Sequence, residues 1–154
     1  MTLQGSEGDS PSNTCPFCQI IRGDAPATVV YRWDDCIAFT PRRPATLGHT
    51  LVVPVRHVIS LWDPEISSAI KVAVRVRELA VAMKASLDLD GLNIIQSNGA
   101  AATQTVPHLH VHLVPRYPGD AMGAIWPEGS PVSADAALRA ARTISSAVAS
   151  LLSE

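Results

Sequence analysis

The chain has 154 residues, 47% of them hydrophobic, and twelve Lys and Arg against fourteen Asp and Glu give it a net charge of -2. That length suits one well-buried core and is too short for two ordinary domains. The charge balance excludes a global basic field for nucleic acid, so a polyanionic ligand must be met locally, with Arg42, Arg43, Arg56, His57 and Arg116 as the candidates. No apolar run approaches the roughly 18 residues that cross a bilayer. The expectation is a cytoplasmic protein with no membrane or nucleic-acid partner and with its three cysteines reduced.

Residues 1–13 are nearly all small or polar, without the basic start and apolar stretch of a signal peptide, and read as a disordered tail ahead of a single domain over 14–154. Cys15-Pro-Phe-Cys18 leads into Gln19-Ile-Ile-Arg-Gly, a short helix ended by Gly23. A cysteine pair at such an edge is usually half of a zinc site. A redox motif and two buried thiols are the alternatives. Redox is the weaker of these, because a thioredoxin-like pair follows a strand and here only a tail precedes it.

Thr28 to Arg32 and Cys36 to Thr40 are short apolar runs joined by Trp33-Asp34-Asp35, which predicts a hairpin with Cys36 as a small core residue. A proline-rich loop, residues 41–48, leads to a third strand from His49 to Val55, with His49, Leu51, Val53 and Val55 on one face. Asp63-Pro64-Glu65 has the form of a helix start. The helix stripe that follows is Ile66, Ile70, Ala73, Val76, Ala80, Met83 and Leu87, a core face rather than a ligand box. Asp90-Gly91 turns the chain into a strand over 92–96. Ser97 to Val106 is a loop of small residues between amides, where backbone N–H groups can approach an anion closely.

Pro107 to Arg116, Pro-His-Leu-His-Val-His-Leu-Val-Pro-Arg, alternates with period two. His108, His110 and His112 share one face, and Leu109, Val111 and Leu113 turn into a core. Same-face neighbours stand about 7 Å apart along a strand, whereas ligands of one tetrahedral zinc lie about 3.4 Å from each other. One zinc held by all three rings is therefore disfavoured. A row of imidazoles suits a row of phosphates, since one neutral ring can attack while its neighbour donates a proton. Beyond it, Trp126 is read as a packing residue or a cover for a base, and Ser133 caps a last helix with a stripe of Leu138, Ala141, Ile144, Val148 and Leu151.

The run His-Leu-His-Val-His-Leu-Val-Pro-Arg, with Ser97-Asn98-Gly99 and Gln104-Thr105-Val106 before it, resembles the histidine triad superfamily of nucleotide hydrolases and transferases. The similarity extends from the cysteine pair to Trp126. It implies a small-molecule nucleotide substrate attacked at its α-phosphorus by His110, departure of the leaving group helped by His112, support from His108, and release of the nucleoside monophosphate by water. It also implies that Asn98 and Gln104 bind phosphate or orient the histidines, with Thr105 adding a hydroxyl. Relatives of bacterial type imply a structural zinc on Cys15, Cys18, His49 of Gly48-His49-Thr50, and His108, with no organic cofactor and a homodimeric assembly.

Two positions depart from the resemblance. Pro41 stands where many members carry an Asp or Asn that binds ribose hydroxyls, which passes that role to Thr40 or Arg43, and Thr103 stands where glycine is frequent. Cleavage of dinucleoside polyphosphates and nucleotide binding without turnover, as a sensor or scaffold, remain alternatives. Strands joined mostly by short turns around one long helix predict an α+β fold, a five-stranded antiparallel sheet with a long central helix and a C-terminal helix.

Overall fold

The computed structural model describes residues 11–63, 66–129 and 131–153. Residues 1–10, most of the stretch read as a disordered tail, lie outside the described residues, and so do Pro64 and Glu65 of the predicted helix start. The chain divides into two compact units, one ending at Met122 and the other running from Gly123.

In the first unit, one helical turn, α1 (Pro11–Thr14), precedes α2 (Pro16–Arg22). The strands are β1 (Thr28–Arg32), β2 (Cys36–Thr40), β3 (Thr50–Pro54), β4 (Gly91–Gln96) and β5 (Val111–Arg116), and α3 (Ile66–Ser86) links β3 to β4. They form one sheet in the order β1-β2-β3-β5-β4, with every neighbouring pair antiparallel. This is the predicted α+β fold. In the second unit, α4 (Ala134–Leu151) starts at Ser133, whose Oγ accepts the Ala136 N–H at 3.3 Å as the cap predicts. Its Leu138, Ile144, Val148 and Leu151 are exposed.

Alternation divides the sheet into two faces. Cys36, Ala38, Val52, Leu109, Val111 and Leu113 pack with Val72, Val76, Leu79 and Met83 of α3. Ile37, Phe39, Leu51 and Val53 turn the other way and pack with Cys15, Phe17 and Cys18. β2 and β3 are covered on both faces and so read as continuous apolar runs. The buried stripe of α3 differs from the expected one, since Ile70 and Ala73 are exposed while Val72 and Leu79 are buried. The helix carries apolar residues on more than one side, so its periodicity alone does not choose the inward face.

The triad strand is shorter than its sequence pattern. Regular pairing starts at Val111, where β4 ends opposite it at Gln96, and the Leu109 N–H turns to the Val58 carbonyl, 2.7 Å away. His108 and His110 thus lie on an irregular lead-in that stays in place by other means.

Candidate active site and cysteine cluster

Cys15 is the N-cap of α2 and Pro16 occupies its first turn, a position where proline's missing N–H costs nothing. One helical turn brings Cys18 back beside Cys15 and leaves Phe17 directed at the sheet. Gly23 closes the helix in the left-handed conformation, φ 84°. Cys15, Cys18, His57 and His108 converge, with one ligand atom from each within 4.8 Å of all the others.

His108 Nδ1 lies 3.4 Å from Cys15 Sγ and 3.6 Å from Cys18 Sγ, and His57 Nδ1 lies 3.3 Å from Cys18 Sγ. A sulphur and a nitrogen on one tetrahedral zinc would stand about 3.5 Å apart. The Nε2–H of His108 donates to the Pro54 carbonyl at 2.9 Å, so its Nδ1 presents a lone pair to the cluster. Burial lowers the His108 pKa to about 4 and raises that of Cys18 to about 11.

His49, expected as the fourth member, is elsewhere. Gly48 lies in the left-handed region, and a Cβ there would meet Leu87 Cδ1 at 2.7 Å. The backbone past it sends His49 toward the triad. The Ala45 N–H donates to His49 Nδ1 at 2.9 Å, which leaves the His49 proton on Nε2. That nitrogen stands 2.9 Å from His112 Nδ1. His112 Nδ1 must therefore accept, and the proton of neutral His112 sits on Nε2.

The nucleophile candidate is fixed in the same manner. His110 Nδ1–H donates to the backbone carbonyl of His108 at 2.7 Å, which leaves Nε2 with a free lone pair. Phe17 stacks edge-on against the ring, centroids 5.2 Å apart, and His112 lies 5.1 Å away on the cleft side. Burial lowers the pKa of His110 and of His49. Burial, with the neighbouring His110 and His49, lowers that of His112 to about 4. All three are neutral near pH 7. His108 differs from its predicted catalytic role, because its ring is wholly buried in the cysteine cluster and its backbone carbonyl is what serves His110.

His110 and His112 open onto a cleft of about 1030 Å³, with Phe17, Ile20, Phe39, Leu51 and Val106 as apolar walls. Thr40, Arg43 and Thr105, all expected at a substrate site, line it, and so do Arg42 and Thr103. Asn98 and Gln104 do not. Asn98 Oδ1 accepts the Leu61 N–H at 2.8 Å, and Asn98 and Gln96 exchange amide bonds. Gln104 accepts the Gly99 N–H at 2.8 Å and donates to Ile59 and Val106 carbonyls. Their amides brace the loop that the sequence assigned them to serve as ligands. Arg116 is likewise bound to Asp120 and Asn93 rather than turned to the cleft.

Comparison with known proteins agrees with this geometry. The HIT domain family model matches residues 22–119. Protein hit from Bacillus subtilis is 37% identical over 116 residues, 75% of this chain and 80% of that protein. Adenylylsulfatase HINT3 from Arabidopsis thaliana is 32% identical over 126 residues, 78% of this chain and 64% of that protein. A crystal structure of a Zn-bound histidine triad family protein from Mycobacterium smegmatis superposes with a TM-score of 0.69 at 36% identity, covering 88% of this chain and 99% of that one. With the triad, the sheet and the matched span in agreement, the chain belongs to the HIT domain family.

Proposed function

We propose that the protein is a nucleotide hydrolase or nucleotidyl transferase that works through a covalent nucleotide on His110. The observation that carries this reading is the complementary tautomer pair, a bare Nε2 on His110 beside an Nε2–H on His112, each fixed by a hydrogen bond at its other nitrogen. A site built only to hold an anion would want donors at both positions. His110 Nε2 attacks the α-phosphorus of a nucleoside phosphoramidate or related nucleotide. The bond to the leaving atom breaks with its electron pair, and that atom gains a proton through His112. Water then attacks the phosphorus and gives up a proton that restores His112, the P–N bond to His110 breaks with its electron pair returning to Nε2, and the nucleoside monophosphate leaves. The adenylylsulfatase relative supports an attack of this kind on a nucleotide.

Cys15, Cys18, His57 and His108 fit a structural zinc, two sulphurs and two nitrogens with no open position. When bound, the metal supplies cross-linking: it would tie α2 and the segment after β3 to the start of the triad, and so hold Phe17 against His110. The Zn-bound relative supports this. A homodimer is the assembly we propose, supported by exposed Ile70, Val74 and Val81 along α3 and exposed Ile94 on the edge strand β4.

The test is turnover of an adenosine phosphoramidate with release of AMP. His110→Ala is expected to abolish it, and full activity in that variant would refute the assignment. Dinucleoside polyphosphates assayed beside it sort the substrate class, since both share the attacked phosphorus.

A further inference from the structure

The end of the cleft far from the triad carries charge of one sign. Phe39 pairs with Leu51 and Leu51 with His112, so these three form one row across β2, β3 and β5. At about 4.8 Å per strand, the row is roughly 10 Å long. Arg42 and Arg43 follow just past the end of β2 and line the same cleft. Neither makes a hydrogen bond or ion pair among the described residues. No Asp or Glu among those residues lines the cleft, and Pro41 has neither a side-chain acceptor nor an N–H to offer.

Such a wall is ill suited to the hydroxyls of a free sugar. They would find no carboxylate to accept their protons among the described lining residues, and hydroxyl bonds to neutral acceptors such as Thr40 are roughly half as strong as those to an ionised one. Two guanidinium groups with no partner among the described residues suit a phosphate, which each can grip with a planar fork. A 5′-phosphate held at His110 and His112 would leave the sugar to extend along the cleft toward its other end, where Arg42 and Arg43 follow β2.

Resting on the nucleotide reading above, we propose that Arg42 and Arg43 form a second anion subsite that takes a phosphomonoester on the sugar. The cleft then prefers a nucleoside 5′-phosphate carrying a 2′- or 3′-phosphate over one with free hydroxyls.

The test is calorimetric titration of the wild-type protein with AMP, 2′-deoxy-AMP, ADP, and adenosine 2′,5′- and 3′,5′-bisphosphate. One sugar bisphosphate should bind about tenfold or more tighter than AMP, while the deoxynucleotide stays within about twofold of AMP. Arg42→Ala with Arg43→Ala should bring the bisphosphate-to-AMP ratio near one, and Arg43→Glu should invert it. Equal binding of AMP and both bisphosphates would overturn the proposal, as would a ratio that survives the double variant. An equal gain for ADP would also overturn it, by placing the subsite on the leaving-group side. Binding of no nucleotide would overturn the nucleotide reading itself, and this proposal with it.

Discussion

His49 Nε2 stands 2.9 Å from His112 Nδ1, while the Ala45 N–H donates to the opposite nitrogen of His49. This chain of donors makes His49 a positioning residue for the proton on His112. His49→Ala should lower turnover by about 10² and leave the metal content of the protein unchanged by elemental analysis. His49→Gln, whose amide can still donate to His112, should recover part of the rate. His57→Ala should instead lose the metal. Loss of zinc from His49→Ala with none from His57→Ala would reverse the two assignments.

Metal removal tests the coupling between cluster and nucleophile. Phe17 sits between the two cysteines and stacks on His110 at 5.2 Å. Chelation should therefore cost both stability and turnover, and zinc should restore both. A loss of about 3 kcal/mol, modest beside the binding energies of structural zinc sites, corresponds to a fall in Tm of roughly 10 °C for a chain of this size. An unchanged Tm after verified removal of metal would show that the cluster carries no such load.

Thr103 has φ 66° in the loop beside the cleft, the left-handed region that a β-branched residue rarely adopts. Thr103→Gly should raise stability by about 1 kcal/mol as that strain is relieved, part of the gain being offset by glycine's larger entropy loss. Denaturant unfolding measures it, and a destabilised glycine variant would show that the threonine side chain contributes more than its backbone costs.

Stability should depend on pH in the acid range. Burial holds folded His112 at about 4, and the unfolded ring titrates near 6.5. Between those values the unfolded state binds more protons, so stability rises with pH there. It is complete above about pH 6.5 and is lost as pH falls toward 4. His49 and His110, also lowered by burial, act in the same direction. Calorimetric Tm should fall over this window, with a shallower slope in His112→Asn. A flat profile in the wild type would contradict neutral burial of the rings.

The hairpin of β1 and β2, the end of α2 at Gly23 and the capped start of α4 were legible in the chain because each rests on local chemistry. The shared face of the triad was legible from alternation, and Cys15 and Cys18 from their spacing. His57 was not. It lies outside any periodic segment, 39 residues from Cys18, and only the packing of α2 on the sheet brings the two together. The one signal was its place three residues after Pro54, whose carbonyl receives His108. Asn98 and Gln104 misled for a related reason, since an amide in a loop of small residues can serve a ligand or the loop, and only the partners decide.

The most direct test of the account is single-turnover mixing with an adenosine phosphoramidate, quenched and analysed by intact mass beside His110→Ala. The account predicts an adduct of one nucleoside monophosphate on the wild-type chain, mapped to His110 and absent from the variant. Turnover with no adduct at any quench time, or an adduct that persists in His110→Ala, would contradict it.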